Sequence, residues 1–233
     1  NPELSWQEFE TSKLLANRMK ELGFKVTRDF AKTGVVSIYE NGKGPVLMIR
    51  ADMDALPVQE KTGLEYSSTT KALNENNTEV SVMHACGHDV HMAVAVGTAK
   101  ELIKRKSEWS GILMIIFQPA EEKIGGASVM ISEGVMQNPD VAEVYGLHIA
   151  NRLPSGVLGV KSGISSAYCD EFKICIEGKG GHGARPYQCI EPIMIATRII
   201  QDCQNLVARE LYAMDSNVMT FTTIHSGSAY NVI

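Results

Sequence analysis

The chain has 233 residues, of which 44% are hydrophobic and 21% are charged, an ordinary composition for a globular protein. Its formal net charge of −5 offers no basic face to nucleic acid or to an anionic membrane surface, so neither is expected as a partner. No apolar run approaches the roughly 20 residues that a membrane-spanning helix needs.

Helical and strand-like patterns alternate through residues 1–165. A capping-box pattern that begins at Ser5 predicts an amphipathic helix that continues to Gly23. Strands are predicted at 24–27 and 35–39. Continuous apolar runs predict strands buried on both faces at 46–49 and 112–117, and a similar run with one polar break predicts another at 141–147. Further helices are predicted at 88–105 and 126–133. This alternation predicts an α/β fold with a doubly wound, mostly parallel sheet.

Acidic or imidazole side chains follow each of the three buried runs. Asp52 and Asp54 come after the first, Glu121 and Glu122 after the second, and His148 directly after the third. The carboxyl ends of parallel strands meet at one edge of an open α/β sheet, where such sheets bind ligands. The sequence therefore predicts that these side chains lie around one crevice.

The densest group of metal-binding residue types lies at 83–91. Cys86 and His88 flank one glycine, so a turn can direct both side chains to one ion, and thiolate and imidazole suit zinc and similar ions. Asp89 is placed to orient a ligand imidazole through a hydrogen bond. The alternative is an ordinary helix N-terminus with Asp89 in its first turn. Three histidines, a cysteine and an aspartate within eight residues favour the metal site.

Two interpretations remain for each group that follows a buried strand. Glu121 and Glu122 either form a solvated pair or divide their roles, one holding a metal ion while the other accepts a proton from water. His148 is either a metal ligand or a hydrogen-bonded core histidine. Asp52 and Asp54 either turn the chain or support a ligand, and Asp54 is the better candidate for that support.

The pattern changes after Gly163, which predicts a second, smaller domain. Strands at 172–176 and 217–224 are predicted around a helix at 190–206, an α+β arrangement. With a boundary in the segment 162–167, the two domains are predicted at 1–165 and 166–233. The glycine-rich segment 178–186 lacks the Gly-Lys-Ser/Thr ending of a phosphate-binding loop. Its His182 suits a residue that approaches a substrate closely and donates to a developing oxyanion.

Taken together, the motifs resemble one known family. They are Arg-Ala-Asp-Met-Asp-Ala-Leu-Pro at 50–57 and the segments 84–89, 117–122, 146–148 and 178–186. In this order they resemble the amidohydrolase branch of the aminoacylase/carboxypeptidase metallopeptidases. That branch includes hippurate hydrolases, N-acyl-amino-acid amidohydrolases and plant indole-acetyl-amino-acid hydrolases. The resemblance covers essentially the whole chain.

The resemblance implies a zinc-peptidase-like catalytic domain with an inserted, ferredoxin-like α+β dimerisation domain that forms a lid. It implies two divalent metal ions per subunit, Zn²⁺ or Mn²⁺, and a homodimer that forms through the lid. The implied activity is hydrolysis of the amide bond of an N-acyl amino acid to a carboxylic acid and a free amino acid. The implied metal ligands are Cys86, His88, Glu122 and His148.

The resemblance also assigns roles beyond the ligands. Glu121 matches the general base, which takes a proton from water and passes it to the leaving amine. His182 matches the histidine that polarises the scissile carbonyl, in some relatives across the dimer. Asn231 matches an asparagine near the substrate carboxylate.

The chain departs from the family pattern at Tyr187, where a second histidine is usual, and at Cys189, where a threonine is common. Both departures put the substrate preference in doubt. The family also needs a further histidine ligand from a later segment, and His225 is no obvious substitute. The chain is therefore expected to be truncated at both ends, to bind metal incompletely and to lack turnover.

Two other functions stay open. Cys86 could be the nucleophile of a thiol hydrolase with His88 or His84 as its base. Glu121, Glu122 and His148 would then have no role. The chain could also be a catalytically inactive metal-binding or dimerisation module. The five cysteines do not resemble a disulfide framework, which favours a reducing compartment and a cytoplasmic location, without excluding a removed N-terminal signal.

Overall fold

A computed structural model describes residues 1–166, 168–215 and 217–233. The chain divides into two compact units, Asn1–Pro154 and Ser155–Ile233. This division lies on the amino-terminal side of residue 165, where the sequence predicts the first domain to end, and Ala167 of the predicted boundary segment lies outside the described residues. No helix in the described parts of the chain is long and apolar enough to cross a membrane.

The first unit contains three α-helices, one short 3-10 helix (Lys106–Glu108) and seven strands among its described residues. The α-helices are α1 (Phe9–Glu21), α2 (His88–Lys104) and α3 (Gly126–Ser132). The strands are β1 (Lys25–Phe30), β2 (Gly34–Asn41), β3 (Val46–Asp52), β4 (Lys71–Leu73), β5 (Glu79–Ser81), β6 (Gly111–Gln118) and β7 (Glu143–Gly146). The predicted elements are confirmed to within a few residues at their ends, and the short β4–β5 hairpin was not predicted. The expected burial on both faces is wrong for β7, whose four residues are all exposed at the edge of the sheet.

Five strands form one mixed sheet in the order β1-β2-β6-β3-β7. β3 pairs in parallel with β6 and β7, whereas β2 is antiparallel to both β1 and β6. The prediction of a mostly parallel sheet is therefore wrong for the β1–β2 half. A tight turn joins these two strands and reverses the chain, with Ala31 and Lys32 at φ values of 44° and 75°. An apolar run predicts a strand but not the direction in which that strand runs in the sheet.

Helices cover both faces of this sheet because β6 is apolar on both sides. Its residues Leu113, Ile115 and Phe117 pack with α1 and α2 in one buried cluster. Its residues Met114 and Ile116 pack with α3 in another. Successive side chains of a strand point to opposite faces, so the continuous apolar run in the sequence serves two cores.

The start of α1 differs from the predicted capping box. The hydroxyl of Ser5 donates to Asp54 instead of capping the helix, and the Glu8 carboxylate accepts from the backbone N–H of Trp6. The first turn is capped by Glu3, whose carboxylate oxygens accept from the backbone N–H groups of Glu10 and Thr11 at 3.2 and 2.7 Å. A carboxylate from outside the helix thus takes the place of the expected hydroxyl cap.

The second unit is built around α4 (Pro192–Arg209), which confirms the predicted helix. The segments 172–176 and 217–224 form no strand in this part of the described chain, so those two predictions are wrong. The segments still touch, because the rings of Phe172 and Phe221 meet edge to face at 5.9 Å. Short bridges join Lys179 to Ile190 and His182 to Val232. The ferredoxin-like lid stays a prediction.

Candidate metal centre

Three parallel strands deliver the polar groups of the first unit to one sheet edge. Asp54 follows β3, Glu121 and Glu122 follow β6, and His148 follows β7. Because β3 lies between β6 and β7 and runs parallel to both, their carboxyl ends lie side by side. The three loops therefore lie together at the sheet edge where the sequence predicts a ligand site.

The N-terminus of α2 adds Cys86 and His88 to the same edge. Gly87 between them has φ +81°, a left-handed conformation that favours glycine. A Cβ atom there would also lie 2.1 Å from Cδ1 of Ile149. The glycine thus permits both the turn and the close approach of the loop after β7.

Three groups of potential metal ligands share His88. In each group the donor atoms lie within 4.8 Å of one another, and the groups are Cys86-His88-His148, His88-Glu121-Glu122 and Asp52-His88-His91. All four predicted ligands and the predicted base are therefore neighbours in the first unit.

Two buried atoms in this cluster have no hydrogen-bond partner among the described residues, His88 Nε2 and Glu122 Oε1. They lie 3.8 Å apart, and His88 Nε2 is also 3.8 Å from Glu121 Oε2. The His88 Nδ1–H donates to the backbone carbonyl of Asp54 at 2.8 Å, so Nε2 keeps its lone pair. Buried polar atoms are rarely left unsatisfied, and a cation between these two would satisfy both.

His148 has its tautomer fixed in the same way. Its Nδ1–H donates to the backbone carbonyl of Ile149 at 2.8 Å, so the lone pair is on Nε2. That Nε2 atom lies 3.4 Å from Sγ of Cys86. Sγ of Cys86 and the lone pair of His148 Nε2 therefore face one another, as two ligands of one metal ion would.

The charges around the site favour a cation. Burial, together with the negative charges of Glu122 and Glu121, raises the pKa of Cys86 to about 11. Burial and then Glu121 raise the pKa of Glu122. Burial opposes the charged form of His88, but its hydrogen bond to Asp54 and the charge of Asp52 outweigh it and raise the pKa. A bound divalent cation would reverse the upward shifts of the Cys86 thiol and the Glu122 carboxylate.

Asp54 organises the loop that carries the two glutamates. Its Oδ1 accepts from the backbone N–H of Glu121 at 3.0 Å, and its Oδ2 accepts from that of Glu122 at 3.1 Å. Its Oδ1 also lies 3.4 Å from His88 Nδ1. Asp89, the other predicted supporting carboxylate, is exposed and makes no hydrogen bond among the described side chains. As the second residue of α2 it lies toward solvent, so the geometry supports Asp54 alone.

Asp52 and His91 form a supporting pair, although from the sequence alone Asp52 has two possible roles and His91 has no assigned role. His91 Nδ1–H donates to Asp52 Oδ1 at 2.6 Å, and its Nε2 accepts from the backbone N–H of Ile149 at 3.0 Å. Both ring nitrogens are therefore used, which leaves no lone pair for a metal ion. The sequence signal that could have identified His91 is its position one helical turn after His88 in α2, on the same face of the helix. The pair holds the backbone beside His148.

The remaining predicted residues lie in the second unit. Nδ1 of exposed His182 accepts from the backbone N–H of Ala184 at 3.1 Å, so its proton is on Nε2. The backbone carbonyl of Asn231 accepts from the N–H of Gly183 at 2.9 Å. These contacts bring the glycine-rich segment and the segment of Asn231 together within that unit.

Known proteins resemble this chain over its full length. A sequence profile of the peptidase family M20/M25/M40 matches residues 48–231. A thermostable carboxypeptidase of Saccharolobus solfataricus is 44% identical over all of the chain and 58% of its own length. An IAA-amino acid hydrolase of Arabidopsis thaliana is 40% identical over all of the chain and 51% of its own length. The chain thus spans between half and two thirds of these relatives.

One solved structure is similar to this chain in both fold and sequence. The Bacillus subtilis YXEP protein, described as a dinuclear metal-binding peptidase from the M20 family, is 41% identical with a TM-score of 0.62. The match covers 70% of this chain and 43% of that protein.

Proposed function

The chain belongs to peptidase family M20/M25/M40, and from this premise we propose that the protein hydrolyses the amide bond of N-acyl amino acids with divalent metal ions. The products would be a carboxylic acid and a free amino acid. The observation that carries the proposal is the pair of unpartnered buried atoms, His88 Nε2 and Glu122 Oε1, beside Cys86 and His148.

These four side chains are the proposed ligands of two metal ions, Zn²⁺ or Mn²⁺. Thiolate, imidazole and carboxylate together suit borderline-soft divalent ions. A bound divalent ion supplies Lewis-acid polarisation of a carbonyl and makes water more acidic. The dinuclear metal binding of the Bacillus subtilis relative supports this number of ions.

Glu121 is the proposed general base. Its side chain is 38% exposed, compared with 22% for Glu122, so it can reach both water and substrate. Asp54 fixes the backbone N–H groups of both residues and so holds the loop from which the two side chains extend. Glu121 would accept a proton from the attacking water and deliver it to the leaving amine.

The second unit would contribute His182 and Asn231. The tautomer of His182 supports a role as hydrogen-bond donor to the developing oxyanion, because its Nε2 carries the proton. Asn231 would contact the substrate carboxylate. We also propose that residues 166–233 belong to a dimerisation lid of a homodimer. The five free thiols support a reducing, cytoplasmic location.

The thiol-hydrolase alternative is disfavoured by the surroundings of Cys86. A nucleophilic cysteine needs a lowered pKa, whereas burial and Glu122 raise the pKa of this thiol to about 11. This thiol is hydrogen-bonded to the imidazole of His148, at 3.4 Å, whereas the alternative names His88 or His84 as its base.

The proposal is tested with the complete protein. We expect elemental analysis to find divalent metal, and a panel of N-acyl amino acids to include at least one substrate whose hydrolysis stops with a chelator and returns with Zn²⁺ or Mn²⁺. Hydrolysis that survives metal removal but stops on thiol alkylation would favour the thiol hydrolase. Bound metal without hydrolysis of any panel member would favour the inactive module.

A further inference from the structure

Glu8, at the start of α1, is a fully buried carboxylate that the proposed chemistry does not use. Its Oε1 accepts from the backbone N–H groups of Trp6 at 3.0 Å and Ala120 at 2.9 Å. Its Oε2 accepts from the hydroxyl of Thr33 at 2.7 Å. Each oxygen is thus engaged, and one of the partners lies 112 positions away in the sequence.

The contact with Ala120 joins Glu8 to the loop of the candidate base. Ala120 is fully buried and has φ +48°, a conformation that alanine rarely adopts. Its N–H is the first of three successive backbone donors that are held by carboxylates. The next two, of Glu121 and Glu122, are held by Asp54. Ser5, from the same segment as Glu8, donates to Asp54 at 2.6 Å.

We propose that Glu8 is a positioning residue for the loop that carries Glu121 and Glu122. This inference rests on the proposed function. Without an acceptor at this place, the buried N–H of Ala120 would lose its partner, and the strained backbone would relax to find another. Glu121 would then move relative to the attacking water. A displacement of about 1 Å can lower the rate by roughly a hundredfold.

Substitutions at Glu8 separate this role from simple packing. In Glu8→Gln the amide oxygen can still accept from Ala120 and the amide nitrogen can donate to Thr33. Glu8→Met fills a similar volume but accepts no hydrogen bond. Glu10→Gln is the matched control, because Glu10 lies two residues after Glu8, in the first turn of α1, with a side chain 75% exposed.

The variants are compared in the complete, metal-loaded protein below the unfolding temperature of each. We expect Glu8→Gln and Glu10→Gln to keep kcat within about twofold, and Glu8→Met to lose roughly a hundredfold in kcat with KM within about threefold. Amide hydrogen exchange should quicken in Glu8→Met in the peptide that spans 119–124 and at Trp6, whose N–H loses the same acceptor, while other peptides keep their wild-type rates.

Unchanged kcat and exchange in Glu8→Met, or equal losses in Glu8→Gln and Glu8→Met, would overturn the proposal. Losses of kcat that match the unfolded fraction of each variant would also overturn the proposal. If Glu8→Met does not fold, Glu8→Asp decides, since its shorter carboxylate cannot keep all three contacts. It should lower kcat at least tenfold, and wild-type kcat would refute the role. If the wild type hydrolyses nothing, the proposed function fails, while the exchange data still decide whether Glu8 holds the loop.

Discussion

Replacing Asp54 with asparagine removes a carboxylate that is 1% exposed and holds two adjacent backbone donors. Its two oxygens accept from Glu121 N–H at 3.0 Å and from Glu122 N–H at 3.1 Å. An asparagine side chain has one oxygen and one NH₂ group, so one of these N–H groups faces another donor in either orientation. A stranded buried donor and a lost charge-assisted bond together cost about 2–4 kcal/mol.

That cost should be visible as a lower unfolding temperature. About 1 kcal/mol shifts Tm by roughly 2–4 °C in a protein of this size, so Asp54→Asn should lower Tm by about 5–15 °C at pH 7. The measurement is thermal unfolding followed by circular dichroism after chelator treatment, which removes stabilisation by metal. The control is Asp89→Asn at an exposed position, expected to stay within about 0.5 kcal/mol.

The pH dependence of this difference has a defined sign. Burial opposes the charged form of Asp54, but hydrogen bonds from His88, Ser5 and the loop backbone lower its pKa below 3.8. A lowered pKa in the folded state adds stability above the unfolded-state pKa, and this stability is lost as pH falls through the folded-state value. The gap between wild type and Asp54→Asn should therefore narrow below pH 3.8. Equal Tm values for Asp54→Asn and Asp89→Asn at pH 7 would refute the argument.

Three further predictions concern neighbouring carboxylates and one imidazole. Glu121→Gln should keep its metal by elemental analysis and lose about 10²–10⁴-fold in kcat, whereas exposed Glu101→Gln should not. His91→Phe removes the acceptor for Ile149 N–H and should weaken metal binding by about 10–100-fold in a competition titration. Burial raises the pKa of Glu8, so the charged form is disfavoured in the folded state and wild type loses stability as pH rises through that pKa. The Tm of Glu8→Gln minus that of wild type should therefore increase as the pH rises from 4 to 7.

Each of these predictions can fail independently. Wild-type-like hydrolysis by Glu121→Gln would remove that residue from the role of base. Unchanged metal affinity in His91→Phe would show that the backbone beside His148 needs no support. A Tm difference between Glu8→Gln and wild type that is constant from pH 4 to pH 7 would contradict the raised pKa of Glu8.

The strands and helices of the first unit could be predicted because their signals are local. β6 is a continuous apolar run, and a strand packed on both faces requires one. The antiparallel β1–β2 pair was not predicted, since its direction depends on a turn at Ala31 and Lys32 with no glycine to mark it. In the second unit, alternating apolar residues at 172–176 suggested a strand, but a strand needs a partner ladder that the pattern cannot supply.

The sequence by itself determined the chemistry: which donor types follow which strands, and that Cys86, His88, Glu121, Glu122 and His148 belong to one crevice. Only the tertiary structure decided how each donor is presented. The free nitrogen of His88 depends on a carbonyl 34 positions away, and the loop before Glu121 depends on Glu8, 112 positions from its partner. Periodicity and motifs report neighbours along the chain, whereas burial and hydrogen-bond pairing arise between segments that meet only in the folded protein.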